Sequence, residues 1–174
     1  HTSYDGENFA GQKVQDLRDS QFENCSFVDV DFAEALLQGV RFLDCRFEAC
    51  DLSRVNLSGA QIQGVSFESC RLMGINWSAA AGLLLAFSFV ECNASYSIFH
   101  GVNLRSCRFS TSKLTNSEFQ KSNLSGLSFE GCDFSGALMN GSRLYQTDFS
   151  GAHSVFIDPS RCLLKDTKLD IVSA

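Results

Sequence analysis

A chain of 174 residues, 44% of them hydrophobic and 20% charged, is long enough for one folded domain and too ordinary in composition for a disordered or fibrous protein. Its 20 acidic and 14 basic residues leave a net charge of −6, which argues against direct binding to a nucleic-acid backbone. The longest apolar run, residues 79–87, is too short to cross a bilayer. We therefore expect one cytoplasmic domain over residues 1–174, with no membrane segment and no cofactor.

The chain starts with an irregular segment, residues 1–16. Its apolar residues Phe9 and Val14 do not share the phase of the spacing that follows. A repetitive β-structure must cover its open ends, because exposed strand edges pair with other chains. We predict that this segment is an N-terminal cap.

From Leu17 onward a large apolar residue recurs every five residues. This spacing matches neither the 3.6-residue period of an amphipathic helix nor the two-residue period of an ordinary strand. One series of these central residues runs from Leu17 to Trp77 and a second runs from Phe89 to Phe149, with thirteen members in each. Ten of the 13 glycines lie two residues after a central residue, where the chain must turn. Residues 17–152 are therefore predicted to form regular coils.

Identical residues also recur at every fourth repeat, which indicates that four repeats make one coil. Stacked coils place like residues above one another at roughly 4.8 Å, the spacing of hydrogen-bonded strands. The sequence predicts one such column inside a single face: Phe27, Phe47, Phe67, Phe89, Phe109, Phe129 and Phe149.

The interval from Phe67 to Phe89 is two residues longer than the other intervals in this column. A two-residue insertion within Ser78–Leu83 accounts for the difference and keeps the later columns aligned with the earlier ones. We interpret this insertion as a corner bulge and not as a domain boundary. A projecting contact element is the alternative, since several leucines follow.

All eight cysteines lie two residues before a central residue, at a position that also accepts Ala, Ser and Val. The sequence contains no CxxC pair, and no histidine lies near a cysteine at metal-ligand spacing. We interpret the cysteines as reduced, inward-facing packing residues, because a buried free Cys behaves as a small hydrophobe. A redox or metal role is the alternative.

Units such as residues 123–126 (NLSG) and 133–137 (DFSGA) resemble the A(D/N)LXX pattern of the pentapeptide-repeat proteins. The resemblance extends from about residue 17 to about residue 152. It implies an all-β fold: a right-handed, quadrilateral parallel β-helix of about seven coils, followed by a C-terminal tail or cap at residues 153–174.

Two segments resemble the members that confer quinolone or albicidin resistance: the break in phase after Trp77, and the tail around Ile157, Asp158 and Pro159. Those members bind DNA gyrase or topoisomerase IV as mimics of DNA, and a C-terminal helix makes them dimers. The resemblance thus implies the same partners here, and a homodimer formed through a C-terminal extension.

No grouping of residues in the sequence is typical of catalysis, so we expect an interaction protein and not an enzyme. Two hypotheses remain open. If the chain is a DNA mimic, the outward residues Asp31 and Asp51, neighbours in one column, are candidate contacts. If it is a rigid scaffold for a different protein, the exposed column of Leu36, Ile98 and Leu138 is the candidate contact surface.

Overall fold

The structure is a computed structural model that describes residues 2–80 and 85–170. Over these residues the chain forms a parallel β-solenoid of about eight turns with almost no helix. The strands are β1 (Ser3–Asp5), β2 (Asn8–Ala10), β3 (Gln21–Glu23), β4 (Ser26–Val28), β5 (Arg41–Leu43), β6 (Arg46–Glu48), β7 (Gln61–Glu68), β8 (Ala86–Val90), β9 (Arg108–Ser110), β10 (Arg143–Tyr145) and β11 (Leu163–Lys165). A single-turn 3-10 helix spans Trp77–Ala79.

Each turn of the solenoid has four sides, because the chain pairs with the next turn at four positions. The pairs of one turn are Gln21–Arg41, Ser26–Arg46, Asp31–Asp51 and Leu36–Asn56. All are parallel, and the two partners of each pair are four repeats apart, as the sequence predicts. We number the faces in chain order: face 1 contains Phe42, face 2 Phe47, face 3 Leu52 and face 4 Leu57.

The corners between faces depend on residues with a left-handed backbone. Among the described residues, sixteen non-glycine residues and twelve glycines have positive φ, and nearly all of them lie two residues after a central residue. Glycine is required where a side chain of the preceding coil covers the corner. A Cβ atom on Gly64 would overlap Oδ1 of Asp44, and one on Gly136 would overlap Oδ1 of Asn116. The glycine spacing in the sequence therefore marks the corners.

The core is a stack of central side chains. The seven phenylalanines of face 2, from Phe27 to Phe149, form one column inside that face, and each has at most 2% of its surface exposed. Their ring centroids are separated by 4.6 Å between Phe27 and Phe47 and by 5.7 Å between Phe67 and Phe89. This column joins all the regular coils into one core.

One turn is longer than the others. Asp51 pairs with Arg71 at the regular spacing of four repeats, whereas Arg71 pairs with Asn93, two residues beyond that spacing. The register also shifts between Gln63 and Val65, at the corner between faces 1 and 2. Residues 81–83, half of the segment Ser78–Leu83 predicted to contain the insertion, lie outside the described residues, so its position stays a prediction.

The solenoid has about eight turns instead of the predicted seven, because both end segments pair with their neighbours. β1 and β2 pair with β3 and β4 at a spacing two residues shorter than the regular coil. At the other end β11 pairs with β10, and Lys168 pairs with Asp148. The segments 1–16 and 153–174, predicted as caps, thus also contribute coil.

Candidate interaction surfaces

Asp31 and Asp51 are neighbours in the outward column of face 3. The column runs Lys13, Asp31, Asp51, Arg71, Asn93, Lys113, Asp133 and His153. The two carboxylates thus lie between a lysine and an arginine. This column carries both signs of charge, so Asp31 and Asp51 do not form part of a continuous negative stripe.

The same two carboxylates also accept hydrogen bonds from the backbone of the turn that follows each of them. Oδ1 of Asp31 accepts a hydrogen bond from the N–H of Ala33, and Oδ1 of Asp51 accepts one from the N–H of Ser53, both at 2.9 Å. An Asp or Asn side chain that bonds two residues ahead stabilises a turn. A charge reversal would remove this bond together with the negative charge, whereas Asn would keep the acceptor oxygen.

Leu36, Ile98 and Leu138 lie in the outward column of face 4. Leu36 and Leu138 are 38% and 48% exposed, and Ile98 is half-buried. The column between them contains Asn56, Asn76 and Glu118. Polar residues therefore separate the three side chains, and they do not join into one apolar patch.

The charge is distributed unevenly along the solenoid. Residues 1–80 contain 12 acidic and 6 basic residues, whereas residues 81–174 contain 8 of each. The whole net charge of −6 therefore belongs to the N-terminal half. The sequence signal for this acidic half is the difference in net charge between the part of the chain before the break in phase and the part after it. A search for acidic residues in one outward column at a time misses this difference.

Some of these acidic residues are paired. Arg46 contacts Glu48 at 2.8 Å and Glu68 at 3.6 Å, and Arg54 contacts Glu34 at 3.3 Å. Seven carboxylates of the N-terminal half make no ion pair with another described residue: Asp5, Glu7, Glu23, Asp29, Asp31, Asp44 and Asp51. They lie on faces 1 to 3 and at the corners between these faces, so the unpaired negative charge of this half is spread over three of its four sides.

All eight cysteines are buried free thiols. Loss of solvation raises the pKa of Cys45 to about 11, that of Cys107 to about 12 and that of Cys132 to about 11. These thiols are therefore protonated at neutral pH, and a thiol is a poor nucleophile and a poor metal ligand until it ionises.

Several thiols also donate hydrogen bonds, a role that sequence reasoning missed. Sγ of Cys50 lies 3.3 Å from the carbonyl oxygen of Phe27, and Sγ of Cys70 lies 3.5 Å from that of Phe47. Cys45 and Cys92 contact carbonyls of the preceding coil in the same way. The recurrence of Cys, Ser and Thr at this inner position was the available signal.

Over residues 2–80 and 85–170, no three His, Cys, Asp or Glu side chains converge as metal ligands would. A search of the same residues found no helix with the length and apolar character of a membrane span.

Two family profiles match the chain. One, described as a pentapeptide repeat region, matches residues 15–82 and 40–119, and the other, described as pentapeptide repeats in eight copies, matches residues 117–153. Together they cover more than half of the chain. No curated protein sequence matches it.

Solved structures share the fold. A trypsin-treated form of QnrB1, a plasmid-mediated fluoroquinolone resistance protein, superposes with a TM-score of 0.56 at 19% identity, over 97% of this chain and 92% of QnrB1. HetL, a protein involved in the regulation of heterocyst differentiation in the cyanobacterium Nostoc, gives 0.53 at 17% identity, over 97% and 87%. Similarity at this level of identity demonstrates the fold alone.

Proposed function

Since the chain belongs to the pentapeptide-repeat family, we propose that it is a non-catalytic interaction protein. Its acidic N-terminal half binds a basic surface on DNA gyrase or topoisomerase IV where duplex DNA otherwise lies. The observation that carries the proposal is the segregation of charge, with the net −6 confined to residues 1–80. A basic DNA-binding surface attracts such a potential and accelerates association.

The length of the solenoid fits a short duplex. Face 2 has nine stacked central residues from Phe9 to Leu169, and eight steps of about 4.8 Å make a column about 38 Å tall. Duplex DNA rises about 3.4 Å per base pair, so this height corresponds to about 11 base pairs. A homodimer through a C-terminal extension would double the length available to a topoisomerase in the cytoplasm.

Titration of purified DNA gyrase with the protein in a supercoiling assay tests the proposal. We expect the protein to inhibit supercoiling or to reduce fluoroquinolone-stabilised cleavage, since QnrB1, which shares the fold, is a fluoroquinolone resistance protein. The double variant Asp31→Asn, Asp51→Asn should weaken the effect at least about threefold, with a smaller difference at 1 M salt, where the Debye length is about 3 Å. Asn retains the oxygen that accepts the backbone hydrogen bond, so the fold is preserved.

Asp148→Asn is the matched control. Oδ1 of Asp148 accepts the N–H of Ser150 at 2.8 Å, as the two N-terminal aspartates do with their own neighbours, but Asp148 lies in the neutral half. It should leave the gyrase effect unchanged. If the wild-type protein alters neither supercoiling nor cleavage at concentrations well above that of the enzyme, the topoisomerase proposal fails and the scaffold for another protein is the remaining hypothesis.

A further inference from the structure

Tyr96 occupies a corner that a tyrosine rarely adopts. Its φ is +61°, and of the positive-φ residues in the described ranges it alone is aromatic. The corner residues of the adjacent coils are Gly74 and Asn116, two residue types that tolerate this conformation. Fifteen other non-glycine residues in the described ranges share this corner conformation, so Tyr96 is distinguished by its aromatic side chain and not by the backbone angle alone.

The ring of Tyr96 lies outside the buried core. The side chain is 59% exposed, and no ring contact joins it to another described aromatic residue. The corner is held by the backbone, because the N–H of Tyr96 donates to the carbonyl of Thr115 at 2.9 Å. The ring of Tyr96 therefore makes no contact with another described aromatic ring, and its exposed part is available to a partner.

The outward residues around Tyr96 include apolar and basic side chains, and Glu118 and Asp133 follow Ile98 and Lys113 in their columns. Half-buried Met73 lies in the preceding coil, and Ile98 follows Tyr96 by two residues. Arg71 and Lys113 are exposed and make no ion pair with a described residue. They lie two steps apart in the outward column of face 3, about 9.6 Å along the solenoid.

We propose that these residues form a docking surface, the Tyr96 corner, for an acidic peptide segment of a partner protein. Exposed Tyr side chains on a rigid support are frequent energetic centres of protein interfaces. The two exposed cations supply charge complementarity to carboxylates on either side of the ring. This surface lies where the two halves meet, since Arg71 and Met73 precede residue 80 and Tyr96 and Lys113 follow it. It contains none of the carboxylates that carry the topoisomerase proposal and does not depend on that proposal.

Nucleic acid fits this surface less well than a peptide. Two cations neutralise few phosphates, and the chain as a whole has a net charge of −6, which repels a polyanion. An acidic peptide needs only a few carboxylates near Arg71 and Lys113, together with an apolar side chain that covers the tyrosine ring.

A selection of random twelve-residue peptides displayed on phage tests the proposal, with counter-selection against the variant Tyr96→Asn. We expect the selected peptides to be rich in Asp and Glu and to contain an apolar residue. A fluorescein-labelled copy of a selected peptide should bind Tyr96→Asn at least about tenfold more weakly than wild type. The melting temperature of Tyr96→Asn should be unchanged or higher, because Asn tolerates positive φ.

Charge variants complete the test. Arg71→Gln and Lys113→Gln should each weaken the labelled peptide severalfold at about 0.1 M salt, and the difference should largely disappear at about 1 M salt. Arg105→Gln is the matched control, since Arg105 is also exposed and makes no ion pair with a described residue, but lies on face 1.

The proposal is overturned if no peptide is enriched, or if the selected peptides bind wild type and Tyr96→Asn equally. A fall in the melting temperature of Tyr96→Asn would also overturn it, because the ring would then serve packing. Equal binding of a twelve-nucleotide thymidine strand and the peptide would show a general anion surface and would reject the peptide assignment.

Discussion

The coils before and after residue 80 share the five-residue spacing but close many of the corners that follow faces 1 and 2 with different hydrogen bonds. After faces 3 and 4, backbone bonds such as that from the N–H of Val40 to the carbonyl of Leu37 occur in both halves. On faces 1 and 2 of the first half, cysteine thiols reach the carbonyls of phenylalanines in the preceding coil, as Cys70 does with Phe47. In the second half the backbone closes many corners, as where the N–H of Cys132 donates to the carbonyl of Phe129 at 3.0 Å. The five-residue repeat therefore determines where side chains stack, but it does not determine which group donates a hydrogen bond to the carbonyl at each corner.

The largest expected effect concerns what the two halves have in common, the phenylalanine column. Phe47→Ala in the first half and Phe109→Ala in the second should each lower the free energy of unfolding by about 3–5 kcal/mol, from lost burial and the cavity left behind. Urea denaturation measures both values. Phe156→Ala, at a residue 81% exposed, is the control and should cost no more than about 0.5 kcal/mol. A loss below about 1 kcal/mol at Phe109 would contradict its place in the core.

A cysteine pair tests the difference between the halves. Cys70→Ala removes the thiol hydrogen bond to the carbonyl of Phe47 and should cost about 1–2 kcal/mol. Cys70→Ser should recover part of this loss, since its hydroxyl donates in the same way. Cys132→Ala should cost less than Cys70→Ala, because alanine keeps the backbone N–H that donates to the carbonyl of Phe129. Equal losses for the two alanine variants would show that the thiol hydrogen bonds do not distinguish the halves.

The smallest expected difference between variants concerns a corner contact that both halves share. Gly64→Ala and Gly136→Ala each bring a Cβ against the side-chain oxygen of Asp44 or Asn116, and both also carry the cost of positive φ, about 1–2 kcal/mol. Gly126→Ala has the same conformational cost with no atom within 4 Å of the added Cβ. Thermal unfolding should therefore rank Gly126→Ala as the mildest variant. If Gly126→Ala lowers the melting temperature as much as the other two variants, the overlap of the added Cβ with Asp44 or Asn116 does not contribute to the loss of stability.

The sequence predicts the columns because parallel stacking requires only that large residues recur in register. It does not predict the first turn, because Tyr4, Phe9 and Val14 keep the five-residue spacing but Leu17 follows Val14 by only three residues. In the sequence, this change of phase between Val14 and Leu17 cannot be told from the start of the repeat. In the structure a shorter corner absorbs it, and pairing continues from β1 to β3 and from β2 to β4.

The candidate contacts were predictable to different degrees. The stacking of Asp31 on Asp51 follows from the coil of four repeats, but their hydrogen bonds to the backbone depend on side-chain geometry that spacing does not contain. The sequence did not point to Tyr96 as a contact residue. The periodicity places it at a corner, but it does not show that the side chain is exposed or that the backbone there has a positive φ. Such a feature is visible only when a backbone angle accompanies the residue type.

The lengthened turn has a consequence for how proteins of this kind change in evolution. The outward column of face 3 continues across it from Arg71 to Asn93 and the inner column of face 2 from Phe67 to Phe89, so the extra residues of this turn leave both of these columns aligned. Duplication or loss of a whole coil would likewise preserve each face and change the length by about 4.8 Å. Insertion of whole coils between Asp51 and Arg71 would thus change the distance between Asp51 and Tyr96 in steps of one coil. The residues that form each surface would stay the same.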